Sequence, residues 1–337
     1  MSVPDVPGEL IEFIKKGSRF LVAGHKEPDG DCVGSQLALT SLLRRLGKEA
    51  VPCSAGPFKR TEVMPYAGLF TAVPETKERK NLRVIVVDCS APYRTGDLAP
   101  CLEGLPVAVI DHHAAGDHPP SSAESPVFLD PGAPSVSFMI LLLIEALGLT
   151  PTREEAELIF FGLCTDTGFF RHVDEGGADT FTAASRMIKA GANPKKAFQA
   201  IHGGKSLGSR ILMGILLARV ESFFDGRLLL TFERYEETQR FGLEGRDSDS
   251  LYQLLQSVAG VEAIVIIRQE TPDNCTVGFR SRDSVDVAAI AAGFGGGGHK
   301  NAAGLSIDGT IEEQRPKILA AFEKVFQKTA AGQAPGW

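Results

Sequence analysis

The first two-thirds of the chain alternates short apolar runs with longer segments in which apolar positions recur at helical spacing. The short runs are rich in valine and isoleucine, as in strands that are buried on both faces of a sheet. The predicted strands are residues 19–24, 83–87, 106–110 and 127–129. The predicted helices are residues 35–46, 136–147, 153–163 and 180–190. This β-α alternation predicts an α/β fold with a mostly parallel sheet covered by helices.

The pattern starts again after Arg227 and predicts a second group of elements. The strands expected there are residues 228–232, 263–268 and 276–279, and the helices are residues 285–292 and 312–327. We therefore predict a second, smaller α/β domain. The predicted domains are residues 1–201 and 223–330, joined by a linker and connecting helix at 202–222.

The composition is that of a globular protein with sizeable cores: 337 residues, of which 43% are hydrophobic and 23% charged. The net charge of −7 argues against a broad basic surface for long DNA or RNA, because such binding depends on neutralising phosphates. A short or small anionic ligand stays compatible with this charge. The longest apolar stretches fall short of the ~18–20 residues of a membrane span, so no membrane partner is expected.

The six cysteines contain no CxxC pair, and Asp5 and Glu9 precede the first basic residue, unlike the order in a secretory signal. We therefore expect a cytoplasmic protein with buried thiols rather than disulfides. Cys32, Cys89 and Cys164 adjoin acidic motifs and are interpreted as small packing residues.

Acidic and histidine residues cluster at the ends of the predicted strands. They are His25, Asp29 and Asp31 after the first strand, Asp88 after the second, Asp111, His112 and His113 after the third, and Asp166 at the end of the third helix. Any one of these aspartates alone would suit a turn or a helix cap. Together they are expected at one edge of the sheet, where clustered carboxylates repel unless cations neutralise them. Mixed carboxylate and imidazole ligands suit Mn²⁺, so the pattern favours a metal cluster.

The motifs that carry these residues resemble a known family. HKEPDGD, VVDCS, IDHH and CTDTG resemble, in order and spacing, the four motifs of the DHH phosphoesterase superfamily. The segment GFRSRDSVDVAAIAAGFGGGGHKNAAG resembles the glycine-rich signature of the DHH-associated C-terminal domain. The resemblance covers residues 15–328, and the two-domain layout is similar to that of the bacterial nanoRNases. It implies a metal-binding catalytic domain at 1–201 and a substrate-binding domain at 223–330, with the active site in the cleft between them.

The resemblance also implies a site with two metal ions. The implied ligands are His25 and Asp29 for one ion, Asp31, His112 and Asp166 for the other, and Asp88 as the bridge between them. Asp111 is expected to support the site from outside the ligand set, and His113 to face the substrate phosphate. Asp88, Asp111 and His113 are therefore the predicted catalytic residues. The implied ions are Mn²⁺, with Mg²⁺ or Co²⁺ as substitutes.

In the second domain the resemblance points to substrate-anchoring positions. These are Arg280, His299 and the backbone of residues 295–298, above all Gly296, Gly297 and Gly298. Glycines let backbone N–H groups approach a phosphate closely, and an arginine offers a fork for it. Four glycines alone would also fit a flexible linker, and Arg280 would also fit a solvated strand edge. The AAG that follows is interpreted as a helix-like segment, which favours an anion-binding loop.

The implied activity is hydrolysis of very short oligoribonucleotides, from dinucleotides to pentanucleotides, to mononucleotides. Removal of a phosphate from the nucleotide bisphosphate 3′-phosphoadenosine 5′-phosphate is implied as well. No long nucleic acid is expected as a partner. The oligomeric state stays open, with a homodimer as one option. Three alternatives stay open: a phosphodiesterase of cyclic or linear dinucleotide signals, a family II inorganic pyrophosphatase, and a nucleotide sensor that has lost turnover.

Overall fold

The computed structural model of the protein describes residues 5–72, 79–90, 92–113, 122, 124–242, 245–282 and 284–332. The chain divides into two compact units, an N-terminal unit Met1–Gly204 and a C-terminal unit Lys205–Trp337. The predicted bounds at 1–201, 202–222 and 223–330 stay predictions, as does the position of the active site between the domains. Within the described ranges, no helix has both the length and the apolar character needed to cross a membrane.

The N-terminal unit is built from five strands and seven α-helices in its described part. The strands are β1 Arg19–Ala23, β2 Glu49–Cys53, β3 Leu82–Val87, β4 Val107–Asp111 and β5 Val127–Leu129. The helices are α1 Gly8–Lys16, α2 Gly30–Arg45, α3 Ala99–Leu102, α4 Val136–Ala146, α5 Arg153–Asp166, α6 Ala178–Lys189 and α7 Pro194–His202. Two 3₁₀ segments, Met64–Leu69 and Pro92–Leu98, lie in the connections.

The five strands form one parallel sheet in the order β2-β1-β3-β4-β5. This confirms the prediction of a parallel-sheet α/β unit at the N-terminus. Strand β1 pairs with β2 on one side and β3 on the other, and Ala23 at the end of β1 lies beside Val86 near the end of β3. Strand order reverses at this point, and ligands of open parallel sheets bind in the crevice that such a reversal creates.

The core explains why the central strands were predictable and β2 was not. Val84, Val86 and Ile110 are completely buried, so these strands are apolar throughout. Strand β2 lies at the edge, alternates between exposed and buried positions, and contains Pro52. Proline cannot donate to a strand ladder and is confined to such edges. This mixed pattern conceals β2 in the sequence.

Helices α2 and α5 approach each other closely beneath the carboxyl edge of the sheet. A Cβ atom on Gly34 of α2 would lie 2.6 Å from the carbonyl oxygen of Leu158 on α5. Real Cβ contacts are longer than this, so the glycine sets the distance between the two helices. The close approach brings Asp31 on α2 and Asp166 on α5 to the same side of the sheet.

The C-terminal unit has a second, mixed sheet in the order β10-β11-β9-β8-β7-β6. Its strands are β6 Glu221–Phe223, β7 Leu228–Glu233, β8 Ala263–Thr271, β9 Asn274–Ser281, β10 Gly297–His299 and β11 Ala302–Asp308. Its described helices are α8 Leu207–Ala218, α9 Tyr235–Phe241, α10 Ser248–Gln256, α11 Val287–Ala292 and α12 Ile311–Gly332. Only β7 and β8 pair in parallel, and the other pairs are antiparallel. This confirms a second α/β unit.

The expectation of a helix-like segment after His299 is wrong. The AAG residues begin β11, which pairs with β9 on one side and with β10 on the other. Ala303 and Leu305 point into the core at a spacing of two, while their neighbours are less buried. This alternation is the period of a strand, and tertiary packing outweighs the helix propensity of alanine.

Candidate metal centre

Side chains from four segments meet at the carboxyl edge of the N-terminal sheet. The described residues contain three groups whose ligand atoms lie within 4.8 Å of one another: His25, Cys32 and Asp88; Asp88, His112 and His113; and Asp31, His112 and Asp166. Asp29 joins them through His25, whose Nε2 lies 3.7 Å from Asp29 Oδ1. The structure thus brings all six predicted ligands together. Asp88 belongs to two groups, which suits a carboxylate shared between two ions.

Asp88 holds a conformation that few side chains tolerate. It follows β3 with φ of 58°, in the left-handed region, and is 3% exposed. Its Oδ2 lies 3.5 Å from His25 Nε2, and its Oδ1 lies 3.8 Å from His112 Nε2. Backbone strain of this kind is found at functional sites and persists only where the surrounding structure enforces it. The strained backbone places Asp88 between two histidines.

Three carboxylates of this edge, Asp31, Asp88 and Asp166, have no arginine or lysine in their described ion pairs. Asp29 differs, because His25 and Arg60 lower its pKa to about 2 although burial acts in the opposite direction. Burial, together with the negative charge of Asp31, raises the pKa of Asp88 well above its usual value and raises that of Asp166 to about 7. Burial also raises the pKa of Asp31. Each raised pKa means that the ionised carboxylate is unfavourable as it stands. Divalent cations supply the missing charge, so this donor set fits a metal site.

Two histidines are oriented by backbone carbonyl groups. His25 Nδ1 donates to the carbonyl of Lys26 at 2.8 Å, and His112 Nδ1 donates to the carbonyl of Ala133 at 3.1 Å. A carbonyl only accepts, so the proton belongs on Nδ1 and the lone pair on Nε2. In both residues Nε2 is the nitrogen that faces the carboxylates. Metal-ligating histidines have this arrangement.

Asp31 is fixed by the N-terminus of α4. Its Oδ2 accepts the backbone N–H of Val136 at 2.6 Å, and its Oδ1 accepts that of Ser137 at 2.9 Å. A Cβ on Gly162 of α5 would lie 2.0 Å from Ser137 Oγ and 2.9 Å from Asp31 Oδ1. Only a glycine lets α5 pass this close, and the approach brings Asp166 Oδ2 to 3.3 Å from His112 Nε2.

Asp111 organises the turn that follows β4. Its Oδ1 accepts hydrogen bonds from the backbone N–H groups of His112 and His113, at 2.9 and 3.2 Å, and from His113 Nδ1 at 2.7 Å. Although burial acts in the opposite direction, these bonds lower the pKa of Asp111. The bond to Asp111 raises the pKa of His113, whose side chain is 48% exposed. Asp111 therefore fixes the turn after β4 and holds the ring of His113 through Nδ1.

Cys32 lies nearer to the site than a packing residue need be. Its Sγ is grouped with His25 and Asp88, and it donates to Gln36 Oε1 at 3.5 Å. Burial raises its pKa to about 12, so it remains a thiol. The signal in the sequence was its position three residues after Asp29, on the first turn of α2.

A cavity of about 640 Å³ adjoins the metal centre within the N-terminal unit. Asp166 forms part of its wall, together with residues 130–134 and the loop that precedes α6. Asp130, Asp174 and Asp179 give the described wall an acidic character, with His172 as a further polar group. Small-molecule sites have volumes of about 300–1,000 Å³, so the cavity can hold part of a ligand whose reacting group is at the metals.

The predicted substrate-binding residues lie at one edge of the C-terminal sheet. Strand β10 is exposed and, among the described strands, pairs only with β11. A Cβ on Gly296 would lie 2.4 Å from Leu305 Cβ, and one on Gly298 (φ of 144°) would lie 2.5 Å from the carbonyl oxygen of Ala302. A Cβ on Gly297 would meet nothing within 4 Å. Gly296 and Gly298 are thus required by packing, and Gly297 is open to a ligand.

Arg280 and His299 belong to the same region of the C-terminal unit. Residue 280 on β9 pairs with Ala302 on β11, and His299 on β10 pairs with the same alanine. The Arg280 guanidinium lies over the ring of Tyr252 at 4.7 Å and donates to the carbonyl of Phe279 at 3.0 Å. These contacts orient the guanidinium against its own domain. His299 is exposed.

Comparison with known proteins agrees with this architecture. The N-terminal domain of the DHH family matches residues 19–163, and the DHHA1 domain matches residues 230–328. The chain is 31% identical to the bifunctional oligoribonuclease and PAP phosphatase NrnA of Thermus thermophilus, over 91% of this chain and 87% of the relative. It is 30% identical to the protein of the same name from Bacillus subtilis, over 95% of this chain and 98% of the relative.

A solved structure shows the same fold along nearly the whole chain. An exopolyphosphatase-related protein from Bacteroides fragilis superposes with a TM-score of 0.76 at 22% identity, over 95% of this chain and 94% of the other. At this identity the similarity establishes the architecture.

Proposed function

The chain belongs to the DHH family, and on that premise we propose that it is a metal-dependent phosphoesterase that hydrolyses short oligoribonucleotides to mononucleotides. We propose that it also removes a phosphate from 3′-phosphoadenosine 5′-phosphate. The observation that carries the proposal is the full-length similarity to two relatives of that bifunctional name, combined with the uncompensated carboxylates around Asp88. Family similarity identifies the reaction, and the grouped carboxylates and histidines support a site that could hold its metal ions.

The ligand atoms divide into two sets that share Asp88. His25 and Asp29 would hold one ion, and Asp31, His112 and Asp166 would hold the other. Two divalent ions supply activation of a water and stabilisation of the attacking and leaving oxygens. The mixture of imidazole and carboxylate groups supports Mn²⁺ as the ion, with Mg²⁺ or Co²⁺ as substitutes.

His113 and Asp111 act together on the substrate side of the site. Asp111 holds His113 through Nδ1 and favours its protonated form. A cationic imidazole can donate through Nε2 to a non-bridging phosphate oxygen. The role proposed for His113 is therefore to bind the scissile phosphate, and that of Asp111 is to position and charge it.

The cavity beside Asp166 supports a nucleoside as the adjoining part of the substrate. Carboxylates repel a second phosphate but accept hydrogen bonds from ribose hydroxyls and from amino groups of a base. The acidic residues Asp130, Asp174 and Asp179 thus suit a neutral ligand with several donors. A cavity for one nucleoside, rather than a track along the surface, is consistent with short substrates.

In the C-terminal unit, the proposed anchoring groups are Arg280, His299 and the backbone at Gly297. The open space around Gly297 supports direct contact between its backbone and an anion. Gly296 and Gly298 contribute indirectly, because they let β10 lie against β11.

Release of mononucleotide from a 5′-phosphorylated RNA dinucleotide with Mn²⁺ tests the proposal. A long single-stranded RNA, 3′-phosphoadenosine 5′-phosphate, pyrophosphate and a cyclic dinucleotide are assayed in parallel. Turnover of the dinucleotide and of the bisphosphate, without turnover of the long RNA, supports the proposal. Turnover of the cyclic dinucleotide or of pyrophosphate alone overturns it in favour of a signalling phosphodiesterase or a pyrophosphatase. Tight nucleotide binding without any product identifies a sensor.

We also propose a cytoplasmic setting, supported by six free cysteines, five of which are buried. Thiols of this number persist in a reducing compartment. The oligomeric state, for which the sequence leaves a homodimer as one option, is measured directly by sedimentation of the purified chain.

A further inference from the structure

Two cationic residues lie on the neighbouring loops that follow His25 and Asp88. Lys26 directly follows His25 after β1, and Arg94 lies in the 3₁₀ segment Pro92–Leu98 that follows β3 and Asp88. The backbone N–H of Lys26 donates to the carbonyl of Arg94 at 3.1 Å, so the two loops are joined at these residues. Both loops leave the sheet where strand order reverses, which is the ligand-binding edge of such folds.

The side chain of Lys26 is held along its aliphatic stem. A Cβ atom on Gly96, which has φ of 66°, would lie 3.1 Å from Lys26 Cδ and 3.2 Å from Lys26 Cβ. The lysine stem therefore passes directly over this glycine. A packed stem lowers the conformational entropy that the ammonium group loses when it binds a ligand. Lys26 is still an exposed residue, so its charge remains available.

Arg94 is oriented by a neutral group rather than by an acid. Its Nη1 donates to Ser90 Oγ at 3.3 Å, and Ser90 is completely buried two residues after Asp88. Among the described residues, neither Arg94 nor Lys26 has a carboxylate within ion-pair distance. By contrast, Lys59 on a neighbouring loop pairs with Glu27 at 2.7 Å. Arg94 and Lys26 thus place two cationic residues, neither of them in a described ion pair, on two loops joined by a backbone hydrogen bond.

From this arrangement we infer that Lys26 and Arg94 form an anion subsite that binds a phosphate of the substrate other than the one hydrolysed. The planar fork of a guanidinium matches phosphate oxygens, and an adjacent ammonium adds a second charge-assisted hydrogen bond. The inference rests on the proposed function. It gives one reason why a single site could take both proposed substrates, because a 5′-phosphorylated dinucleotide and 3′-phosphoadenosine 5′-phosphate each carry a 5′-phosphate beside the scissile group.

The subsite is tested by comparing substrates that differ only in this phosphate. The ratio of kcat/KM for a 5′-phosphorylated RNA dinucleotide to that for its 5′-hydroxyl counterpart is measured with Mn²⁺. The same ratio is measured for 3′-phosphoadenosine 5′-phosphate against adenosine 3′-phosphate. We expect the wild type to prefer the 5′-phosphorylated member of each pair. Lys26→Gln and Arg94→Gln are each expected to lower the ratio roughly tenfold or more, through KM, because each removes a charged hydrogen bond.

The control is Lys59→Gln, which removes a nearby positive charge that is already paired with Glu27. It is expected to keep the wild-type ratio. Arg94→Lys should restore part of the preference, since it restores charge without the fork. Because Lys26 and Arg94 lie on separate loops, each variant tests the subsite if the other does not fold.

The outcomes separate this inference from the proposed function. Wild-type protein that cleaves neither dinucleotide overturns the proposed function. Wild-type protein that cleaves both equally, or variants that keep the wild-type ratio, overturn the subsite alone. Variants in which kcat/KM falls equally for the 5′-phosphorylated and the 5′-hydroxyl substrates also overturn it. An equal fall indicates a general effect on the site rather than the loss of a contact with the 5′-phosphate.

Discussion

Two regions of the molecule contain buried carboxylates, and they differ in the partners of those carboxylates. In the C-terminal unit the partners are arginines, whereas at the metal centre they are histidines. In the C-terminal unit, Glu233 is completely buried, and both of its oxygens accept from Arg246 Nε at 3.0 Å. Arg268 Nε donates to the same carboxylate at 3.2 Å, and Arg246 also pairs with Glu270 at 2.9 Å. The carboxylate edge of the N-terminal unit has histidines, but its described ion pairs include no arginine or lysine.

The pKa values follow this difference. Although burial acts in the opposite direction, hydrogen bonds from Arg246 lower the pKa of Glu270. Burial and neighbouring carboxylates raise the pKa of Asp88 and Asp166. A buried charge is stable only when it is paired. The C-terminal carboxylates are therefore paired within their own unit, whereas Asp31, Asp88 and Asp166 would gain the charge they need from cations in solution.

The largest expected effect comes from Asp88→Asn. Asparagine tolerates the left-handed conformation of this position, so the substitution removes the charge with little change of shape. We expect turnover of the dinucleotide to fall about 10³-fold or more, since metal-ion catalysis contributes several kcal/mol. Metal-free protein should melt at a higher temperature, because a repelled carboxylate is gone. Wild-type turnover of this variant at saturating Mn²⁺ would contradict the account.

The matched control for this variant is Asp225→Asn in the C-terminal unit. Asp225 also has positive φ, 55°, but lies far along the chain from the metal motifs and is exposed. Activity and melting temperature are expected to stay at the wild-type values.

Arg246→Met tests the paired carboxylates of the C-terminal unit. It removes the shared partner of Glu233 and Glu270, and breaking a buried ion pair costs about 3–5 kcal/mol. We expect the free energy of unfolding in denaturant to fall by about 3 kcal/mol, with the affinity for Mn²⁺ unchanged. Lys15→Gln, which breaks an exposed pair with Glu12, should change stability by less than about 1 kcal/mol. A loss of Mn²⁺ affinity in Arg246→Met would show that the two regions are not independent.

Asp111→Asn is expected to reduce activity by about 10- to 100-fold, the usual cost of losing a group that orients metal ligands. Asparagine keeps an oxygen that accepts from the backbone but loses the charge that favours protonated His113. The pKa of His113, measured by NMR on metal-free protein, should therefore fall toward its ordinary value. An unchanged pKa of His113 would show that the charge of Asp111 does not favour the protonated form of His113.

Metal affinity should depend on pH through Asp166, whose pKa is raised to about 7. Below that pH a proton competes with the ion, so the apparent Kd for Mn²⁺ should rise by up to about tenfold per pH unit. In metal-free protein, the native state retains this proton above the unfolded pKa. Stability should therefore fall as pH rises from about 4 to 7. Asp166→Asn should weaken this stability trend in calorimetric melts recorded with chelator, while the raised pKa values of Asp31 and Asp88 sustain the remainder. An unchanged trend would contradict the assignment.

The lowered pKa of Glu270 predicts that stability changes with pH in the opposite direction. Its stabilising contribution is present above the unfolded pKa and is lost as pH falls through the folded value. Melts of Glu270→Gln from pH 5 down to pH 2 check this difference between the two regions.

The smallest effect is expected at the glycines of β10. Gly298→Ala forces a Cβ into Ala302 at a strained φ and should lower the free energy of unfolding by roughly 1–3 kcal/mol. Gly297→Ala has open space and should stay within about 0.5 kcal/mol of the wild type. A raised KM in Gly297→Ala without loss of stability would support contact between its backbone and substrate. Equal destabilisation by both variants would contradict the packing described for β10.

The elements that could be predicted from the sequence are those with one strong signal, a continuous apolar run. Strands β1, β3 and β4 are continuous apolar runs, and the residues that follow them meet at one edge because parallel strands end there. This is why His25, Asp88 and the residues of IDHH were placed together correctly. Edge elements carry weaker signals, and β2 and β10 were missed for that reason.

Proximity that depends on the path of a loop was not predictable. A backbone hydrogen bond joins the loops of Lys26 and Arg94, which are far apart in the sequence and adjacent in the structure. No pattern in the sequence marks this contact. Cys32 lies beside His25 because α2 begins with a tight turn at Asp29, whose Oδ1 accepts from the Cys32 N–H at 3.1 Å. Such contacts are fixed by tertiary structure rather than by periodicity.

The central claim is that the N-terminal carboxylate edge requires cations that the protein does not supply. Isothermal titration of metal-free protein with Mn²⁺ at pH 8, beside Asp88→Asn and Arg246→Met, measures this directly. The account predicts two ions per chain for the wild type and for Arg246→Met, and fewer than two, or much weaker binding, for Asp88→Asn. Equal stoichiometry and affinity in wild type and Asp88→Asn, or no binding by the wild type, would contradict it.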